Sequence, residues 1–164
     1  MRCLLLFSVV LILSLGCVTN TFAQQADEAV VKEITSICDN FYSEMKSINV
    51  DAFKKIMTDN SLYCGTDPGE FWTKDEMLKL LSQMAENKSL KLELSVDKRV
   101  IRVGADGKSA VVVEQSAANW ISKNIPVRLV SYWIKTGDGW KLDFQSASMV
   151  PKNEDLVKID KMLK

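Results

Sequence analysis

The side chains able to do chemistry in this chain are few, and one absence narrows them further: the sequence contains no histidine. The commonest general acid/base and the commonest metal ligand are therefore missing from any mechanism. What remains is a turn segment, "GTDPGEFWTKDEM" (residues 65–77), and two charges set in apolar runs, Glu114 in "AVVVEQSA" and Arg128 in "PVRLVSYW". An acid beside Pro-Gly and a tryptophan can line a pocket, Asp67 giving a carboxylate and Trp72 an aromatic wall. Asp67 is equally a standard turn residue, whose carboxylate caps backbone N–H groups. Glu114 and Arg128 divide in the same way. Strand alternation groups Glu114 with Val112 and Ser116, and Arg128 with Val130, Tyr132 and Ile134. Pointing inward, either charge needs a partner or a ligand of opposite sign, since bare buried charge is costly. Pointing outward, it is ordinary sheet surface.

The elements that must position these groups follow from periodicity. From Asp27 to Ile48 the apolar residues Val30, Ile34, Ile37, Cys38, Phe41, Tyr42, Met45 and Ile48 recur at spacings of three and four, one helical stripe. Tyr42 lies on that stripe, with its ring in the core and its hydroxyl either satisfied there or aimed into a pocket. Asn49 is placed to cap a second, short helix, "VDAFKKIM". "SLYCG" is a short strand candidate. Pro68-Gly69 suits the centre of a type II turn, and Thr73 with Glu76 forms a capping box flanked by Trp72 and Met77 at the staple positions. "FWTKDEM" is thus accounted for as a helix start, which leaves Asp67 as the functional option in the segment.

Beyond residue 89 the period changes to two. "SLKLELSVDKRVIRVG" sets Leu90, Leu92, Leu94 and Val96 on one side, and "KSAVVVEQSAANWIS", "IPVRLVSYWIK" and "WKLDFQSASMV" follow as further strands. "ADG" and "TGDG" are hairpin turns, and "NEDLVKIDKML" is a short terminal helix whose charges form a solvated face. The order predicts an α+β domain: three N-terminal helices packed on a curved antiparallel sheet that forms a cone-shaped half-barrel, with a short C-terminal helix. The mouth of such a cone is a natural binding cleft. Trp120 and Trp133, near strand ends, are placed for packing, a dimer face or the pocket rim.

The first residues read as a leader. Arg2 precedes the apolar run "CLLLFSVVLILSLG", and "TFA" supplies small residues for cleavage after Ala23, giving a signal peptide over 1–23 and a mature domain over 24–164. The run is shorter than the roughly 20 residues of a membrane span. Gly16-Cys17 offers a second reading, a lipid anchor on Cys17. Either way the domain is exported, periplasmic or secreted. Cys38 and Cys64 then stand as either a single bridge or two small core residues. Without Arg2 the mature chain carries 20 basic against 21 acidic residues. It has no basic block to bind nucleic acid.

The order of elements, "GTDPGEFWTKDEM" before the third helix, and "GDGWKLDFQSAS" in the last strand resemble SnoaL-like proteins of the nuclear-transport-factor-2-like superfamily. The resemblance spans residues 27–150. It implies a cystatin-like cone with a pocket between sheet and helices, dimers through the outer sheet face, and no metal or organic cofactor. Superfamily members include ketosteroid isomerases, cyclases, and pure binding or association domains. In the isomerase branch an aspartate before a proline is the general base and a first-helix tyrosine donates to the oxyanion, positions matched here by Asp67 and Tyr42. Histidines that many relatives carry in the last strand are replaced by Phe144 and Ser146. The expected function is binding of a small apolar molecule, with Tyr42, Asp67, Glu114, Arg128 and Trp72 as the contacts. The alternatives are a cofactor-independent isomerase or cyclase using Asp67 and Tyr42, and a dimeric association module.

Overall fold

The computed structural model describes residues 28–163. The leader, its cleavage after Ala23 and the Cys17 alternative lie outside the described residues. Helix α1 covers residues 28–46. Its stripe is the one the spacing predicts: Ile34, Cys38, Phe41 and Met45 are all buried. The helix stops at Ile48, whose φ of 51° turns the chain left-handed while its N–H donates to the Met45 carbonyl. A β-branched residue is strained there, and the burial of its side chain offsets that strain. Asn49 then caps α2 (Val50–Ile56), its side chain accepting from the Ala52 N–H.

Strand β1 (Met57–Cys64) leaves α2 directly. A short strand, β2 (Phe71–Thr73), pairs antiparallel with it before α3 (Lys74–Glu86) starts on the Thr73–Glu76 capping box. The expectation of three helices ahead of the sheet is therefore corrected: one long helix and one short helix precede two strands, and α3 comes after them. Strands β3 (Leu94–Val103), β4 (Ser109–Ala118), β5 (Ser122–Thr136) and β6 (Gly139–Met149) form the expected antiparallel meander, followed by α4 (Asn153–Met162). The six strands lie in the order β2-β1-β6-β5-β4-β3. β1 runs parallel to β6, so the sheet is mixed.

Helices α1, α2 and α3 pack on one face of this sheet. Phe41 is the centre of the core, its ring 4.8 Å from Phe53 and set edge-on to Trp133 at 6.3 Å. Trp133 is 1 % exposed, and its indole N–H donates to the Ser131 hydroxyl. It is a core residue, which removes it from any dimer face or pocket rim. Trp120, in the β4–β5 connection, stays 36 % exposed. Cys38 and Cys64 are both free, the first buried and the second half-buried at the end of β1.

A second, smaller apolar cluster of Ala118, Val127 and Leu129 occupies the far end of the inner face, with Tyr42 packed against both clusters. Truncating the two tryptophans should separate their roles. Trp133→Ala is expected to lower unfolding free energy by about 3–5 kcal/mol, and Trp120→Ala to change it by less than about 1 kcal/mol, as read from urea unfolding curves.

Candidate functional site

Glu114 is the charge that points inward. Alternation along β4 buries it at 1 % exposure together with Val112 and Ser116. Two donors meet it: the Tyr42 hydroxyl of α1 on Oε2, and Arg99 Nε of β3 on Oε1 at 2.5 Å. The Arg99 guanidinium also reaches Asp39 Oδ1 at 2.8 Å and the Thr35 carbonyl at 3.4 Å. A chain of charge thus runs from the sheet interior to the exposed edge of α1. The partner that Glu114 requires is supplied by the protein itself.

Arg99 escaped the sequence reading for a structural reason. Simple alternation from Leu94 and Val96 would turn Lys98 inward and Arg99 outward. A register shift in β3 between Val96 and Lys98 reverses this, so that Arg99 stands opposite Glu114 and Lys98 opposite Gln115. Nothing in the local composition marks that irregularity.

The network fixes the ionisation of its neighbours. Burial, then the nearby Glu114 charge, drives the Tyr42 hydroxyl far above the ordinary tyrosine range. Burial and the same carboxylate push the Cys38 thiol up to about 12. For Arg99, burial works against the charge, but the hydrogen bonds to Asp39 and Glu114 outweigh it and strengthen protonation. Ser116 adds a fully buried hydroxyl without a partner among the described residues.

The other predicted contacts lie elsewhere. Arg128 is exposed on the outer face and donates to Gln115 Oε1 at 3.1 Å, so its inward alternative is corrected. Trp72 is half-buried against the main core, beside Tyr63. Asp67 is exposed and bonded into its own turn: Oδ1 accepts the Gly69 N–H at 2.9 Å, and the Glu70 N–H closes the turn on the Asp67 carbonyl at 3.0 Å. Gly69 does not adopt a positive φ, so the turn is not type II, a second correction. Glu70 folds back so that its carboxylate accepts the Asp67 N–H at 2.9 Å. That carboxylate lies where a side chain on Gly65 would stand, which explains the glycine. Asp67 and Tyr42 thus stand in separate settings, one in a solvent-facing turn and the other against the Glu114 carboxylate. The pair required for proton transfer is not assembled.

Two concavities stand out among the described residues. One, of about 850 Å³, lies by α2 and the starts of β1 and α3. Several of its polar groups are already bonded: Lys74 to Asp59 at 2.8 Å, Lys141 to the Lys55 carbonyl at 2.6 Å, and Thr58 to Asp143 at 2.7 Å. The other, of about 700 Å³, opens between the 65–70 turn and α4, over the last residues of β6. Its walls are chiefly apolar, with Phe71, Ile125, Met149, Pro151, Leu156 and Ile159, and Asp67 stands at its rim. It joins the smaller inner cluster through Ala147, which pairs with Leu129. The charges of α4 mark its solvated face, but nothing in the local sequence marks Leu156 and Ile159 as a groove wall.

The comparisons agree with this geometry. A family model for the SnoaL-like domain matches residues 34–152, and the chain belongs to that family. Its fold is shared with a nuclear-transport-factor-2-like protein from Cytophaga hutchinsonii (16 % identity, TM-score 0.60, covering 73 % of this chain and 98 % of that one). It is shared too with an uncharacterised cystatin-like-fold protein from Caulobacter vibrioides (14 %, 0.62, 81 % and 96 %). A third is a putative ketosteroid isomerase from Parabacteroides distasonis (15 %, 0.56, 71 % and 86 %). No protein of curated function matches the sequence.

Two outcomes test the network. Arg99→Leu, which leaves a buried carboxylate unpaired, is expected to cost about 3–5 kcal/mol, and adding Glu114→Leu should recover much of it, as a double-mutant cycle in urea will show. Tyr42 holds its proton more tightly folded than unfolded. Its contribution is therefore complete below the unfolded tyrosine value of about 10 and is lost as pH rises beyond it. Thermal melts from pH 8 to 11 should fall more steeply for the wild type than for Tyr42→Phe.

Proposed function

From membership in the SnoaL-like family, we propose that this chain is a small-molecule-binding protein whose site is the 700 Å³ groove between the 65–70 turn and α4. The observation that carries the reading is the groove itself. Its volume falls within the ~300–1,000 Å³ of small-ligand sites, and its walls are largely apolar with a few polar groups at the rim. Asp67 acts here as a rim contact held by its turn, rather than as a base. Glu114 and Tyr42 act as the frame behind the site. In the same proposal the domain is exported after loss of residues 1–23, in keeping with the basic start, apolar run and small residues of the leader.

A homodimer is proposed as the assembled form, on the strength of the outer sheet face. Val111, Tyr132, Phe144 and Leu62 are successive cross-strand neighbours there. Val111, Tyr132 and Leu62 are each more than a third exposed. A continuous apolar row of this kind marks an association surface. Val111→Glu is expected to yield monomers by size-exclusion chromatography with light scattering. A monomeric wild type, or a dimer indifferent to the substitution, contradicts this part.

The groove is tested with Nile red, a neutral dye that brightens in apolar sites. The wild type should bind it, and Leu156→Glu/Ile159→Glu should weaken binding at least tenfold. No residue of α4 is buried, so the melting curve of the variant should stay close to that of the wild type. Equal affinity for the two proteins contradicts the assignment.

A further inference from the structure

The charge of the groove selects among apolar ligands. Resting on the proposed function, we infer that the groove takes an amphipathic cation, a hydrophobic amine or quaternary ammonium, in preference to a neutral lipid-like molecule or a carboxylate. Among the described residues lining it, Asp67 and Glu70 are acidic and none is lysine or arginine. The remaining polar groups are hydroxyls and a thiol, among them Ser146, Ser148 and Cys64, which carry no positive charge.

Three cations beside the groove, Arg128, Lys152 and Lys158, have partners of their own. Arg128 pairs in register with Ser148, yet its guanidinium donates to Gln115 on β4, the strand on the opposite side of β5 from the groove. Lys152, just after the lining residue Pro151, lies 3.8 Å from Glu154. Lys158, just before the lining residue Ile159, binds Asp155 at 2.9 Å. The two carboxylates are thus the formal charges on the described lining itself, while Arg128, whose charge the neutral Gln115 does not cancel, stands one strand away.

Their positions are also built rather than incidental. Asp67 Oδ1 is held by the Gly69 N–H and Glu70 by the Asp67 N–H, and Gly65 leaves the space that the Glu70 carboxylate fills. Each carboxylate thus keeps accepting capacity beyond its one bond to the turn. Phe71, next in the chain and 64 % exposed in the wall, offers a ring face on which an ammonium can rest. An alkyl chain would lie along Ile125, Met149, Leu156 and Ile159, with its charged head at the turn. A carboxylate head in the same pose would meet two like charges and no counterion among the described lining residues.

Three ten-carbon ligands that differ only in the head group test this by isothermal titration calorimetry on the folded protein: decylammonium, decanol and decanoate, each below its micellar concentration. The expected result is decylammonium tightest by at least tenfold, with the preference shrinking as salt is raised. Asp67→Asn/Glu70→Gln keeps the acceptors that the turn uses and should bring decylammonium and decanol to equal affinity. If the three ligands bind alike, or decanoate binds best, the cation inference is overturned while the apolar groove stands. If none binds, both fall.

Discussion

A carboxylate 1 % exposed in the middle of a sheet cannot stay ionised without donors, and the arrangement around Glu114 follows from that constraint. Its two donors come from different elements, Tyr42 from α1 and Arg99 from β3. Meeting them fixes the rotation of the helix and the register of the strand together. Arg99 then carries the connection outward to Asp39 and Thr35, so the first helix is tied to the sheet at three residues. An apolar replacement of such a pair often costs nothing in stability. What the ionic version provides is a single alignment of α1, β3 and β4.

That alignment shapes where a ligand can go. The inner face is filled from one end by Phe41, Phe53 and Trp133, and Tyr42 stands where the main core meets the smaller cluster of Ala118, Val127 and Leu129. The groove lies where β5 begins and β6 ends, with α4 as one wall; Cys64, Ser146 and Ser148 of its lining alternate onto the outer face with Leu62 and Phe144. The polar groups set aside for chemistry thus separate by role: Glu114 and Tyr42 hold the frame, Asp67 shapes a turn at the rim, Arg128 belongs to the outer sheet face and Trp72 to the core.

Much of this was legible in the sequence wherever a local rule decides the outcome. The α1 stripe, the Asn49 cap, the Thr73–Glu76 box and the alternation that groups Glu114 with Val112 and Ser116 all depend on residues within a few positions of each other, although alternation alone leaves open which face that group takes. The misreadings arise where no local rule decides the outcome. The parallel pairing of β1 with β6 joins segments some eighty residues apart, and the three-residue β2 is too short to show a period. The register shift in β3 hid Arg99, since one extra residue moves every later side chain to the opposite face. The turn at Pro68-Gly69 is a third kind of miss. Its residues suit type II, but the Asp67 carboxylate accepts the Gly69 N–H, and Gly69 keeps an ordinary φ.

The central claim is that the groove under α4 holds a small molecule, and native mass spectrometry of the protein purified from its own host, without denaturation, tests it most directly. The expected spectrum shows a reproducible small-molecule mass on the wild type that is missing from Leu156→Glu/Ile159→Glu prepared in the same way. The same added mass on both proteins, or bare polypeptide for both, contradicts the account.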